Sequence, residues 1–454
     1  MNLKKTFAIF LALALAVALF TACGDKETGS TDQPAGSPAP APEASAPASQ
    51  APASPAPAAP SDNQPAQQPE TAPETPSVPA GPPIRIGHIV DLQGVEAATG
   101  EECKRALEFA VESLGGVIAG HPVEIIIGDA QNQPSVAVDV ARKMVEQDGV
   151  VAIFGPTQIG QKSAVAEYMK EAGIPLIFYN PTPVFLTMGN PWVVGSGGST
   201  PQMPTVMADY IYNDMGYRTI DTLAPDNTGA RSFIDPLTEA FEALGGTIVQ
   251  QQWHPVPCPD FAPYLIALND ADALVAWTSG GDAIALWGTW FGLGVNEKMP
   301  MVAAMHGGFT DYFVPTALSH SNPGAAEAML GALAPMMYTP GIHSPENDRF
   351  VAEWTAAYGQ APGGTNLPGD CTQAVYLFNA AMESINGDTD PENLIQAIFS
   401  IDFTGPSGHI SFDGNSQVAT KDVHIVRVVH LPDGTYSYEV VKEYLNVPPS
   451  GLTH

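Results

Sequence analysis

Short apolar runs alternate with amphipathic stretches along most of this chain. Runs that predict strands occupy residues 84–90, 123–127, 149–154 and 174–178, and again 219–223, 247–253, 273–278 and 301–305. Between them, apolar residues recur at the i, i+3, i+4, i+7 spacing of a helix, as at Leu107, Ala110, Val111 and Leu114. The same spacing predicts helices at 136–147, 164–172, 232–244, 262–269 and 283–293. Strands that alternate with helices build parallel sheets covered on both faces, so the pattern predicts an α/β fold.

The alternation stops near residues 195–199 and then starts again, and about 360 residues exceed what one core normally serves. Two Rossmann-like lobes are therefore predicted. Helices at 347–358, 372–385 and 391–399, with no new sheet of their own, precede a strand at 410–412 and a hairpin of 423–431 with 436–442. This order indicates a chain that returns to the first lobe. The predicted N-terminal lobe is 84–198 with 336–418, and the C-terminal lobe is 199–335 with 419–445.

The first 83 residues have a different character. Lys4 and Lys5 precede an apolar stretch that ends at Phe20, and small residues lead to Cys23. This is typical of a secretory signal, residues 1–22, whose cut end is lipidated on Cys23. An uncleaved transmembrane anchor is the alternative, although about 14 apolar residues fall short of the roughly 20 that span a bilayer. Residues 23–83, rich in Pro, Ala and Ser, predict a disordered tether. The folded part would then lie outside the cytoplasm, lipid-anchored to the cell membrane.

Charge and motif content exclude several classes of function. The chain has 17 Lys and Arg against 48 Asp and Glu, a net charge of −31, which argues against nucleic-acid binding. Cys103, Cys258 and Cys371 lie far apart and in no zinc-ligand spacing, so buried free thiols are predicted and no metal site. There is no GxSxG or HExxH motif, so we expect neither an enzyme nor a cofactor.

Polar and glycine-rich turns follow the predicted strands. They are residues 91–94, 155–158, 178–182, 226–229, 278–281 and 305–308. In open α/β sheets, ligands bind beyond the carboxyl ends of the strands. Several of these turns begin helices, whose free N–H groups and positive dipole ends attract a carboxylate without any Arg or Lys.

The residues themselves resemble a known family. Residues 85–94, 151–156 and 173–182 (RIGHIVDLQG, VAIFGP and GIPLIFYNPT) are similar to the leucine/isoleucine/valine-binding family of extracytoplasmic solute receptors. The likeness continues through residues 224–229 and 244–246 and covers the whole predicted globular part. It implies two Rossmann-like lobes joined by a three-stranded hinge, which close on a solute in the cleft. It also implies delivery of that solute to an ABC permease.

The resemblance and the turns together single out nine candidate ligand-binding residues. They are Gln93, Thr99, Gln158, Asn180, Thr182, Thr228, Trp277, Ser279 and His306. Two departures from the family pattern bear on the solute. Pro181 has no N–H to donate, and His306 stands where the family places the acid that pairs with an amino-acid ammonium. Either the solute is a small organic acid, amide or aromatic acid, or the true acid is displaced to Asp282 or Asp311.

The predicted function is therefore that of a substrate-binding lipoprotein of an ABC importer, acting as a monomer. It captures a small-molecule solute by cleft closure and delivers it to a permease in the membrane. An extracytoplasmic sensory receptor that reports the solute to a membrane signalling partner is the alternative, since fold alone does not decide between them.

Overall fold

The computed structural model describes residues 81–453, apart from Gly308, Tyr312, Gly364, Asn415 and Asp433. The predicted signal peptide, Cys23 and nearly all of the predicted tether lie outside these residues. The first strand begins at Ile84, where the sequence predicts that the folded part starts. Within the described part, no helix is both long enough and apolar enough to cross a membrane.

A six-stranded sheet forms the first lobe. Its strands are β1 (Ile84–Val90), β2 (Val117–Ile118), β3 (His121–Asp129), β4 (Ala152–Phe154), β5 (Leu176–Phe178) and β6 (Val193–Gly195). They lie in the order β2-β3-β1-β4-β5-β6, and all pairings except β2 with β3 are parallel. Helices α1 (Ala97–Ser113), α2 (Pro134–Lys143) and α3 (Ile159–Ala172) connect them. This is the parallel α/β arrangement that the apolar pattern predicts.

The second lobe repeats this plan with four parallel strands. They are β7 (Thr219–Pro225), β8 (Thr247–His254), β9 (Ala273–Ala276) and β10 (Met301–Ala303), in the order β10-β9-β7-β8. Its helices are α4 (Gln202–Asp209), α5 (Thr228–Ala243), α6 (Ala262–Ile266), α7 (Gly280–Gly292), α8 (Phe313–Ser321) and α9 (Pro323–Ala328). Asn227 caps α5 by accepting a hydrogen bond from the Ala230 N–H at 2.9 Å, which begins this helix just after β7.

The last third of the chain corrects one expectation, because it does build a sheet. Strands β11 (Leu333–Met336), β12 (Asp402–Gly405), β13 (Gly408–Ser411), β14 (Thr420–His430) and β15 (Tyr436–Val447) pair antiparallel in the order β11-β14-β13-β12, with β15 also on β14. Helices α10 (Pro345–Tyr358), α11 (Leu367–Ser384) and α12 (Pro391–Ser400) lie between β11 and β12. The hairpin prediction is confirmed, and it forms part of this larger sheet.

The buried side chains show how the chain passes between the lobes. Two clusters draw their members from residues 84–194 and 338–419, and two others from 203–337 and 423–447. The chain therefore crosses three times, near residues 195–202, at 337–338 and at 420–422. Gly195 ends β6 and pairs with Val418 in a parallel bridge, and a turn at residues 196–197 follows where the first crossing begins. The lobe boundaries predicted from the sequence stay a prediction.

Gln202 connects the first crossing to the residue before the third crossing and to the end of β15. Its side-chain oxygen accepts from the Ser199 N–H at 2.6 Å, and its Nε2 donates to the carbonyls of Ala419 and Val447 at 3.1 and 2.6 Å. Gln202 is fully buried. A buried amide with three protein partners holds Ser199, Ala419 and Val447 in a defined geometry.

Candidate functional site

The carboxyl ends of β4 and β5 bring three of the predicted residues together. Gln158 is the residue before α3, and its carbonyl accepts from the Lys162 N–H at 2.9 Å. Asn180 follows β5 and donates from Nδ2 to the Thr157 carbonyl at 3.2 Å. Thr182 is fully buried and receives a hydrogen bond from the Lys162 ammonium at 2.8 Å. Lys162, which sequence reasoning missed, therefore connects this group.

Thr182 has no hydrogen left for a solute in this arrangement. Its N–H donates to the Gly198 carbonyl at 2.9 Å, and its hydroxyl donates to the Asn180 carbonyl at 2.9 Å. Pro181 has no N–H at all. A direct role for Thr182 as a ligand stays a prediction, and the described contacts give it a structural role.

The turn after β1 forms the neighbouring part of the site. Asp91 is buried and accepts hydrogen bonds from Nε2 of Gln161, at 2.8 and 3.1 Å, and from the Asn132 N–H at 2.6 Å. Gln93 is exposed, and its Nε2 donates to Asp129 at 2.7 Å. Thr99 is half-buried in the first turn of α1. Asp91 is only 2% exposed, and its oxygens accept from neutral donors, so its negative charge has no cationic partner in the described contacts.

The second lobe contributes Trp277 and His306. Trp277 follows β9, is half-buried, and donates from Nε1 to the Gly307 carbonyl at 2.7 Å. Its ring packs against Phe233 of α5 with centroids 5.5 Å apart. Trp277 therefore lies beside the loop that carries His306. Thr228 and Ser279 are exposed at the starts of α5 and α7, at the same edge of the sheet.

His306 takes part in a buried chain of hydrogen bonds between the lobes. Its Nε2 lies 3.1 Å from Oδ1 of Asn366, whose Nδ2 donates to Asp370 at 2.6 Å. Asp370 forms an ion pair with Lys421 at 2.6 Å, and both side chains have no exposed surface. His306 follows β10, whereas Asn366 precedes α11, which packs in the first lobe. The strand ends of the second lobe thus face the first lobe.

The partners of His306 limit what it can offer a solute. Because Nδ2 of Asn366 donates to Asp370, its Oδ1 faces His306 and requires a hydrogen on Nε2. The other ring nitrogen, Nδ1, lies 3.2 Å from the Pro335 carbonyl. Burial lowers the pKa of His306, although the contacts to Asn366 and Pro335 oppose this shift. His306 therefore has no lone pair directed at a solute ammonium.

The two alternative acids have their own surroundings. Asp282, in the first turn of α7, accepts from the Cys258 N–H at 3.0 Å. Asp311 is buried shortly after His306. These surroundings do not decide whether Asp282 or Asp311 takes the place of the acid that pairs with an amino-acid ammonium in the family. That alternative stays open. Cys103, Cys258 and Cys371 are buried free thiols, as the sequence predicts.

The buried charges Lys162, Asp370 and Lys421 were missed by the sequence predictions. The sequence does indicate that Lys162 is buried. Val165, Ala166 and Met169 follow it at i+3, i+4 and i+7 on the buried side of α3. Lys421 gives no such signal, because residues on both faces of β14 are buried from Lys421 to Val426.

Comparison with known proteins agrees with this architecture. A model of the periplasmic binding protein family matches residues 83–435. The chain belongs to the periplasmic binding protein family. The resemblance, the two-lobed fold and the prediction of a non-enzymatic protein are thereby confirmed, and this family works outside the cytoplasm.

Three relatives illustrate how this binding protein compares. Leu/Ile/Val-binding protein homolog 6 of Brucella abortus (strain 2308) is 23% identical over 375 residues, which cover 81% of this chain and 93% of the relative. An ABC transporter substrate-binding protein from Sphaerobacter thermophilus is 29% identical, with a TM-score of 0.73 over 80% of this chain and 98% of that one. A solute-binding protein of Rhodopseudomonas palustris BisB5, solved with 3,4-dihydroxy benzoic acid, is 23% identical with a TM-score of 0.70 over 81% and 98% of the two chains.

Proposed function

We propose that this protein is the substrate-binding lipoprotein of an ABC importer and that it captures a small organic acid. The single observation that carries the solute-binding role is the buried chain from His306 to Lys421. It joins the strand ends of the second lobe to the first lobe beside the crossing segments. Polar turns from both lobes thus border one region, which a closing cleft would place around a solute.

The class of solute follows from the charges near these turns. Asp370 is neutralised by Lys421, whereas Asp91 has only neutral partners and is 2% exposed. His306 has both ring nitrogens directed at protein oxygens. An amino-acid ammonium desolvated in a closed cleft needs a carboxylate partner that it can reach. Asp370 and His306 supply none, and Asp91 is buried. A solute with a carboxylate or a neutral amide in place of the ammonium needs no carboxylate partner. One relative was solved with an aromatic acid.

The proposal also includes four predictions from the sequence. They are the nine candidate ligand-binding residues, the lobe boundaries, the monomeric state and delivery of the solute to a permease. Solute contacts with both lobes would stabilise the closed form, and that form would dock on the permease. Sensory signalling remains the alternative. Neighbouring genes for a permease and an ATPase would support import, whereas a neighbouring histidine kinase would support sensing.

A thermal-shift screen of purified residues 81–454 tests the binding role. Branched-chain amino acids, benzoates, aliphatic acids and their amides are added one at a time. A solute at 100 times its Kd should stabilise the protein by about 2.7 kcal/mol, which raises the Tm by about 3–4 °C. Mass spectrometry of the recovered solute should show it unchanged. A converted product, or no stabilisation by any compound, would contradict the proposal.

A further inference from the structure

Lys162 is a buried cation beside the candidate site. Its side chain, in the first turn of α3, has no exposed surface. The ammonium donates to the carbonyls of Asn180 and Pro181, both at 3.2 Å, and to the Thr182 hydroxyl at 2.8 Å. It also lies 4.9 Å from the centre of the Phe178 ring. All three hydrogens of the ammonium therefore have partners, and every partner is neutral.

The positive charge of Lys162 has no counter-charge among the described residues. No described carboxylate lies within ion-pair distance of it, in contrast to Lys421, which has Asp370 at 2.6 Å. The adjacent Gln161 donates to Asp91, but Lys162 does not. An ammonium buried without an opposite charge costs several kcal/mol. Burial holds the pKa of Lys162 well below its ordinary value, and a solute carboxylate brought near it would favour the charged form.

The segment that Lys162 holds is the one that borders the candidate site after β5. Thr182 donates both of its hydrogens within the protein, and Pro181 has none to donate. Pro181 and Thr182 therefore offer a solute no hydrogen-bond donor, and what distinguishes the segment is the charge behind it. The start of α3, with its free N–H groups, adds positive potential at the same place.

We propose that Lys162 is a positioning residue that sets the charge class of the solute. It holds residues 180–182 in place and supplies the positive charge that a solute carboxylate compensates when the cleft closes. This inference rests on the proposed solute-binding function and deepens it, because it selects anions over neutral compounds of the same shape. Lys162 does not touch the solute and acts through the segment that it holds.

Matched pairs of an anion and a neutral amide test this role. Benzoate with benzamide, and N-acetyl-leucine with N-acetyl-leucinamide, are titrated into the wild type and into Lys162→Met by isothermal calorimetry. One charge pair about 8 Å apart, at an effective dielectric constant of about 20, changes affinity by more than tenfold. The wild type should therefore bind a carboxylate at least about tenfold more tightly than its amide. Lys162→Met should lose most of that preference while its affinity for the amide changes less than about threefold.

Lys170→Met is the control on the same helix. Lys170 is exposed and pairs with Glu167 at 2.7 Å, so its removal should leave both affinities unchanged. If Lys162→Met does not fold, Lys162→Gln removes the charge and keeps hydrogen-bond donors, and the same comparison applies.

The outcomes separate this inference from the proposed function. Equal losses for the anion and the amide in Lys162→Met would reduce Lys162 to a structural role and overturn the inference. A wild type that prefers amides or cations would also overturn it, and the solute-binding function would stand. A wild type that binds no compound in either these pairs or the wider screen would contradict both.

Discussion

His88 is a fully buried histidine in the middle of β1, where it lies 3.0 Å from the Tyr179 hydroxyl. Burial lowers its pKa to about 3, so the folded protein keeps it neutral, whereas the unfolded chain protonates it near pH 6.5. The unfolded state therefore binds more protons between these values, and folding stability falls as the pH falls. His88 alone should remove about 1.4 kcal/mol from the free energy of unfolding for each pH unit between about 6 and 3. Urea denaturation at several pH values measures this slope.

The comparison with His88→Gln isolates this contribution. Buried His254, His306 and His424 also have pKa values lowered by burial, so the wild-type slope contains more than one histidine. Between about pH 6 and 3, the free energy of unfolding of His88→Gln should fall less steeply with pH, by the contribution of one proton. This holds whatever the stability of the variant at pH 7. His320→Gln, at an exposed site on α8, should keep the wild-type slope. Parallel slopes for the wild type and His88→Gln would contradict a neutral His88.

Single residues were the hardest feature to predict from the sequence. The turns that carry Gln158, Asn180 and Trp277 were found, because parallel strands end where ligands bind. The buried lysines Lys162 and Lys421 were not found, since charged residues are almost never buried unless paired. The position of Lys162 on the apolar face of α3 was visible in the spacing. The three-dimensional contacts that satisfy the two lysines come from segments far away in the chain.

Helix α11 and strand β14 are held together by the ion pair of Asp370 and Lys421. The pair has no exposed surface, and Asp370 also accepts from Asn366 at 2.6 Å. Removing one partner leaves a buried charge uncompensated, so Lys421→Met should lower the free energy of unfolding by about 3–5 kcal/mol. Asp370→Leu combined with Lys421→Met should recover part of this loss, because no lone charge remains. Urea denaturation of the two single variants and the double variant gives the coupling energy.

Arg427→Met provides the matched control in the same strand. Arg427 pairs with Glu439 of β15 at 2.8 Å, and both side chains are about half exposed. Exposed ion pairs contribute about 0–1 kcal/mol, so this variant should remain close to the wild type. Additive effects of the Asp370 and Lys421 substitutions would show that the two charges do not stabilise each other.

Whole elements were predicted best where the apolar pattern was long. Strands β1, β7 and β8 and helix α5 match their apolar runs, because buried parallel strands and amphipathic helices leave clear periodicities. Strand β11 was missed since it contains Pro335, which argues against a strand. Proline is tolerated there because β11 lies at the edge of its sheet and pairs only with β14. Strand β12 was missed because it is short and polar.

At the scale of the whole molecule, the sequence repeat predicted two lobes, and the three crossings explain how they can move. The side chain of Gln202 connects Ser199, Ala419 and Val447 from different parts of the chain. Such links keep the hinge defined, while the polar turns on either side are joined mainly through His306 and Asn366. In the proposed function, a solute would change the relation of the lobes without disturbing either core.

The predicted lipidation of Cys23 would anchor this two-lobed molecule to the membrane. Cys23 lies outside the described residues, and its lipidation is a prediction from the basic start, the apolar stretch and the small residues before it. Cells that express the full chain with an alkyne fatty-acid analogue should label the wild type and Cys258→Ala, whose substituted cysteine is buried in the second lobe. Cys23→Ala should be unlabelled and should leave the membrane fraction. Equal labelling of Cys23→Ala would contradict the anchor, and the solute-binding proposal would be unaffected, because none of its contacts involves residues 1–80.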